Sequence, residues 1–221
     1  QGKSVSFGSL TLGDGQGGLA SNYTLAGGVG RVDIGKAVIS SIGGIIAGNR
    51  VYDGTANVTL DTSDAFFSGM IANDVLAVGS ASGAFIDKNA GTGKTVNIGG
   101  LTLTGADAGN YVLASATATA TADIGRRALT VEATALDRVY GDTNPALTYT
   151  SSDLLGNDTL TGALSTTADK FSGVGVYAIT QGSLGNTNYD ISYTGADLTV
   201  STRHIDVTAN SFSRFYGLAN P

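Results

Sequence analysis

The stretch Arg138-Val139-Tyr140-Gly141-Asp142-Thr143-Asn144-Pro145 returns as Arg214-Phe215-Tyr216-Gly217-Leu218-Ala219-Asn220-Pro221. Its front half stands earlier as Arg50-Val51-Tyr52-Asp53-Gly54-Thr55. A second phrase recurs as Asn22-Tyr23, Asn110-Tyr111 and Asn188-Tyr189. The first marker steps by 88 and then 76 residues, the second by 88 and then 78, so two rulers measure one repeating unit. Periods of roughly 20 to 50 residues belong to solenoids and propellers, whose repeats cannot fold alone. Units of the present length sit at the lower end of independently folding domains and predict small modules in tandem, beads on a string.

The phase follows from alignment. Residues 1–12, QGKSVSFGSLTL, lie without a gap on residues 92–103, TGKTVNIGGLTL, so the sequence is expected to start late in one unit and, at Pro221, to stop early in another. The expected modules run from 36 to 125 and from 126 to 201, with partial modules at 1–35 and 202–221. No signal peptide is read at the start, and the whole is expected to be a window of a longer array.

Composition narrows the class. Cys is absent, so no disulfide staples the units, and that alone fixes no compartment. The 33 Gly, the Thr-rich and Asn-rich texture and only 14% charged residues are unusual for a cytosolic enzyme. Eighteen acids, all Asp but Glu132, against twelve bases argue against a nucleic-acid partner. Thr, Ser and Gly interrupt every apolar run, so no membrane span is expected.

Period-two alternation predicts strands at 129–135 and 115–122, and shorter ones at 177–180, 190–193, 197–200 and 205–207. Helix is expected for at most a turn or two, at 68–76 and 152–160, where Asp74 and Asp158 occupy matching places. The fold class is therefore all-β and mostly antiparallel, each unit a small sandwich or a β-grasp-like sheet.

Six of the nine Tyr, at 23, 52, 111, 140, 189 and 216, fall in the two phrases. A Tyr body fills a core while its hydroxyl reaches a polar group at the rim, and Asp53-Gly54 and Gly141-Asp142 supply the turn that follows. The structural set is thus Arg50, Tyr52, Asp53, Gly54, Asn110, Tyr111, Arg138, Tyr140, Gly141, Asn188 and Tyr189, and core burial of Tyr140 would make Tyr140→Ala cost about 3–5 kcal/mol. Tyr216 is the copy expected to lack its partners.

Val51-Tyr52-Asp53-Gly54-Thr55, followed by residues 89–96 (NAGTGKTV) and 101–111 (LTLTGADAGNY), resembles the YDG repeat domain. Val139-Tyr140-Gly141-Asp142-Thr143-Asn144-Pro145 with Gly185-Asn186-Thr187-Asn188-Tyr189 resembles the related MBG domain. The resemblance implies modules of a large bacterial adhesin of the filamentous-haemagglutinin type, exported by two-partner secretion and active in cell adhesion or the biofilm matrix. It also implies an extracellular or cell-surface location, neighbouring modules of the same chain as partners, and no catalytic residues. Polysaccharide or host glycan is the alternative partner.

Motifs that look like chemistry are weak. Residues 13–18 (GDGQGG) fit Gly-x-Gly-x-x-Gly, but the dinucleotide fingerprint needs a helix directly afterwards, and Tyr23-Thr24-Leu25 reads as strand. Gly91-Thr92-Gly93-Lys94-Thr95 has Lys88 where a phosphate loop needs its leading Gly. Oxygens of Asp14, Asp107, Asn110 and Asn186 to Asn188, with Asp33 and Asp123 at the junctions, are candidate Ca²⁺ ligands without calcium-loop spacing. His204, the one His, is placed at the position of Arg127. Lys36, Arg126, Arg127, Arg203 and His204 cluster at unit boundaries, where they suit contact with a neighbouring Asp or an anionic polymer.

Overall fold

A computed structural model of the chain describes residues 3–5, 13, 19–22 and 30–220. Asp14 and the rest of the Gly-rich stretch to Gly18, Tyr23, and most of the expected partial module at 1–35 lie outside the described residues. The chain divides into two compact units, neither contiguous in sequence. Unit 1 takes residues up to Gly48, Asn57–Ile86 and Thr95–Ala122; unit 2 takes Asn49–Ala56, Asp87–Lys94 and the chain from Asp123 onward.

Unit 1 begins with the antiparallel pair β1 (Lys3–Val5) and β2 (Gly30–Val32). Short strands follow: β3 (Ala37–Ile39), β4 (Ser41–Gly43), β5 (Ile46–Ala47), β7 (Leu60–Asp61) and β8 (Phe66–Ser68), then the long hairpin β9 (Ala77–Phe85) and β10 (Gly91–Thr104). β11 (Tyr111–Leu113) runs parallel to β3, with Tyr111 opposite Ala37 and Leu113 opposite Ile39. β4 pairs with β8 and β5 with β7, both antiparallel. β12 (Ala118–Gly125) lies beside β10. In β10 the buried residues are Val96, Ile98 and then Leu101, one step out of alternation. A register shift between Gly99 and Thr102 absorbs that step, and Gly100, at φ +64, supplies the left-handed backbone a bulge requires.

Unit 2 opens with β6 (Arg50–Val51), parallel to the end of β12. Its body has two sheets. In the first, β13 (Arg127–Ala133) lies between β15 (Tyr149–Ser151), antiparallel, and β18 (Tyr189–Thr194), parallel. The second has the order β14 (Leu136–Val139), β19 (Ala196–Ser201), β17 (Gly175–Thr180) and β16 (Ser165–Thr166). Leu129 and Val131 of the first sheet and Ile179, Leu198 and Val200 of the second are buried, alternating with more exposed neighbours as period two requires.

The chain is all-β as expected, with mostly antiparallel pairing, and pairs of sheets bury the core. Of the expected strands that fall on described residues, all are present except 205–207, which is exposed and forms no strand; Tyr23-Thr24-Leu25 lies outside the described residues. By register Ser201 answers to Gly125, so 205–207 corresponds to the centre of β13; that strand is held from both sides by β18 and β15, and residues 202–220 have no such flanks. Ser68 ends β8, and the remainder of 68–76, like 152–160, forms turns and loops rather than helix. Asn73 and Asp153 hold positive φ there, at 73° and 57°, which a helix cannot accept. The helical turns among the described residues are 3-10, at Ala20–Asn22 and Ala108–Asn110.

Leu198 is fully buried. Leu198→Ala is expected to destabilise unit 2 by about 2–5 kcal/mol in urea unfolding, whereas Val207→Ala, at an exposed position, should stay within about 0.5 kcal/mol.

Candidate functional site

The Asn-Tyr tyrosines open equivalent strands and make the same fastening in each unit. In unit 1 the buried Tyr111 donates its hydroxyl to Asp74 Oδ2, and the Ile71 amide donates to the Tyr111 oxygen at 3.0 Å. In unit 2 the buried Tyr189 donates to Asp158 Oδ2 at 2.8 Å, and the Leu155 amide donates to the Tyr189 oxygen at 3.0 Å. The amide stands three residues before the carboxylate both times, in a turn closed by Asp74 N–H to Ile71 O and Asp158 N–H to Leu155 O. The Asp side chain thus ties a turn to the first residue of a distant strand.

In unit 2 a third segment joins. Arg50-Val51 lies parallel to Ile124-Gly125, and the Tyr52 amide donates to the Gly125 carbonyl at 2.9 Å. The Tyr52 ring is 1% exposed and meets Tyr189 edge to face, centroids 5.6 Å apart. Its hydroxyl donates to the same Asp158 Oδ2 at 2.9 Å. Burial, aided by the hydrogen bond to Asp158 and its charge, pushes the Tyr52 phenol up to about 12. The hydrogen bond from Tyr189, more than that from Tyr52, holds the Asp158 carboxyl below its ordinary value against the opposing cost of burial. A phenol raised so far keeps its proton at neutral pH, and a carboxylate so acidified is a weak base. The cluster ties Tyr52 and Tyr189 to one carboxylate oxygen of Asp158.

The turn after Tyr52 is built locally. Asp53 Oδ1 accepts from the Thr55 amide and hydroxyl, each at 2.8 Å, and Arg50 Nη1 reaches Asp53 Oδ2 at 2.7 Å and Thr55 Oγ1 at 3.0 Å. These bonds, the Thr55 amide foremost, lower the Asp53 carboxyl. Gly54 takes φ +79 and Gly141, in the second phrase, φ +88. Arg138 differs from Arg50. It is buried, with Nε on Asn144 Oδ1 at 2.7 Å and Nη2 on the Asp169 carbonyl, while Asn144 Nδ2 donates to the Ala168 carbonyl at 2.6 Å.

The expectation that Tyr140 fills a core is corrected: its ring is 43% exposed. Its backbone copies Tyr52, with its amide on the Ser201 carbonyl at 2.9 Å. What differs is the packing partner. Tyr52 is buried by Tyr189 and Asp158, far along the chain, and no such pair faces Tyr140 among the described residues. Arg203 donates to the Tyr140 carbonyl at 2.7 Å and to Asp142. Arg203, not His204, holds the place of Arg127, because Ser201 faces Val139 as Gly125 faces Val51. Tyr216 is fully exposed.

Two of the three Asn of the Asn-Tyr phrase, Asn188 and Asn110, do different work. Asn188 is buried, accepts from the Ala90 amide at 2.9 Å and donates to Asn89 Oδ1 at 3.2 Å; Asn110 is exposed at the end of a 3-10 turn. Of the calcium candidates, Asp107 accepts from the Val75 amide at 2.8 Å, Asp123 from the Gly93 amide at 2.7 Å, and Asn186 Oδ1 from the Asn188 amide at 2.9 Å. Among the described residues no three His, Cys, Asp or Glu gather in a metal-ligating group. Gly91 to Thr95 continues as strand β10, so no helix N-terminus faces it. No helix among the described residues is long and apolar enough to cross a membrane.

All-β units that repeat one buried tyrosine–aspartate–amide fastening define a class, that of tandem repeat modules. Residues 36–120 match the family model of the YDG domain and residues 129–199 that of the MBG domain (YGX type). The chain carries a YDG domain followed by an MBG domain. No curated protein and no solved structure matches it.

Tyr52→Ala should cost about 3–5 kcal/mol, and Tyr140→Ala less than about 1 kcal/mol, both measured by chemical unfolding. The folded-state pKa of Tyr52 lies above its unfolded value of 10.0. Its contribution is therefore full below pH 10 and lost as pH rises from about 10 to about 12. Stability of Tyr52→Phe should fall less steeply over that window. Asp158 has the opposite sign: its contribution is present above the ordinary carboxylate range and lost on acidification, and Asp158→Asn should flatten the acid limb of the stability profile.

Proposed function

We propose that this chain is a structural segment, a stalk or spacer, of a secreted or cell-surface bacterial adhesin serving cell adhesion or a biofilm matrix. The observation that carries this reading is the recurrence of one fastening, Tyr111 with Asp74 and Tyr189 with Asp158, in both units. The most distinctive polar residues of each unit are spent on holding strands to turns, as a load-bearing module requires. Acting outside the cell, such a segment needs neither catalysis nor a cofactor; its partners are further modules. Small-angle scattering should give an elongated particle, and a compact globular profile would overturn the spacer reading.

One observation favours a second reading, a module that binds exopolysaccharide or host glycan. The exposed Tyr140 side chain offers a flat apolar face of the kind that stacks on a sugar ring. Glycan-array binding that is lost in Tyr140→Ala would support this alternative.

A further inference from the structure

Pairing on one side leaves half of a strand's main-chain groups unused. Arg127 N–H donates to the Asn188 carbonyl, and an unbroken parallel register runs from Arg127 opposite Tyr189 to Glu132 opposite Thr194. In the slanted ladder of a parallel pair, the amides and carbonyls of Asp190, Ser192 and Thr194 therefore face β13, and those of Ile191 and Tyr193 face away from it. Among the described residues no strand pairs with that far edge of β18.

This edge lies inside the MBG domain and differs from the other edges of unit 2. β14 has four residues, β15 three and β16 two, whereas β18 has six. Short edge strands are blunted against further pairing; a longer regular one is not. β18 is also held in place before any partner arrives. Tyr189 at its head is fastened to Asp158, and the Tyr193 hydroxyl donates to the Ile179 carbonyl at 2.9 Å. Ile191 and Tyr193 share the face of the buried Tyr189 and are partly buried, while Asp190, Ser192 and Thr194 are exposed on the opposite face. In unit 1 the counterpart strand, β11, likewise has β3 as its one strand partner among the described residues, although a whole further domain follows it. The openness of this edge is thus a property of the unit.

We propose that β18 of one copy of the chain pairs antiparallel with β18 of a second copy, about a two-fold axis through Ser192. Ile191 of each copy then lies opposite Tyr193 of the other, and their outward amides and carbonyls join in reciprocal main-chain hydrogen bonds. The side chains agree with this register. Asp190, the one charged residue of the strand, falls opposite Thr194, whose hydroxyl donates to its carboxylate; Ser192 meets Ser192, and no like charges face each other. The two three-stranded sheets become one continuous sheet. The same edge serves both copies, so the interface is isologous and the assembly closes as a dimer. The buried area is small, and the association should be weak, roughly micromolar to millimolar. The pairing does not depend on the spacer reading.

Sedimentation of the full chain over a wide concentration range tests the proposal. The average mass should rise with concentration toward, and not past, twice that of the monomer. Ser192→Lys and Ser192→Glu each set like charges face to face across the axis and should associate about fivefold more weakly than the unaltered chain. Ser192 is exposed, so the thermal unfolding of both variants should match that of the unaltered chain. Mixed in equal amounts, the two variants should associate about fivefold more tightly than either alone, the introduced ammonium facing the introduced carboxylate. A mass independent of concentration up to about 1 mM, or one that climbs past the dimer, would overturn the proposal. Unchanged association of either variant, or a mixture no tighter than its components, would do the same.

Discussion

The carboxylate of Asp158 is the point on which unit 2 depends. It accepts from Tyr189 at the head of β18 and from Tyr52 beside the end of β12, and its own turn gives the Leu155 amide to Tyr189. Three segments distant in sequence are drawn to one oxygen. A half-buried carboxylate is costly unless its lone pairs are filled. Two phenols fill them and bring large apolar bodies that pack edge to face against each other. Polar satisfaction and core filling are thus achieved by the same side chains, which matters in modules without a disulfide.

The parallel pairings explain why tyrosines stand at these positions. β11 beside β3 and β18 beside β13 place a Tyr at the first paired residue, opposite Ala37 and Arg127. From there the hydroxyl meets the Asp of the intervening turn. β6 beside β12 brings Tyr52 to the same place from the other direction. The Tyr of the first Arg-x-Tyr phrase therefore acts on residues far along the chain, Asp158 and Tyr189, while its Arg acts on close neighbours. The Arg of the phrase is adaptable: Arg50 braces the exposed turn of Asp53 and Thr55, while Arg138 is buried and ties Asn144 to the 168–169 carbonyls.

Much of this was legible in the residues. Alternation located β12, β13, β17, β18 and β19, because a sheet with one buried face imposes period two on its side chains. The matching of Asp74 with Asp158, and of Tyr111 with Tyr189, was visible as repetition, but their bonds to one another span 37 and 31 residues and leave no local pattern. The bulge at Gly100 appears in sequence only as a break in alternation. Ile205-Asp206-Val207 alternates as a strand does, yet a strand also needs partners on its edges, and local pattern carries no information about those.

The sequence by itself determined the repeat, the all-β class and the residues that recur. Those follow from periodicity and composition, which are properties of the chain alone. Only the tertiary structure decided which copy of each residue is buried. Tyr52 and Tyr140 share a phrase, a strand pairing and an amide hydrogen bond, yet one ring is enclosed and the other exposed, because burial depends on what the rest of the chain brings against that face. A residue's type sets what burial is worth, and a neighbour distant in sequence sets whether burial occurs.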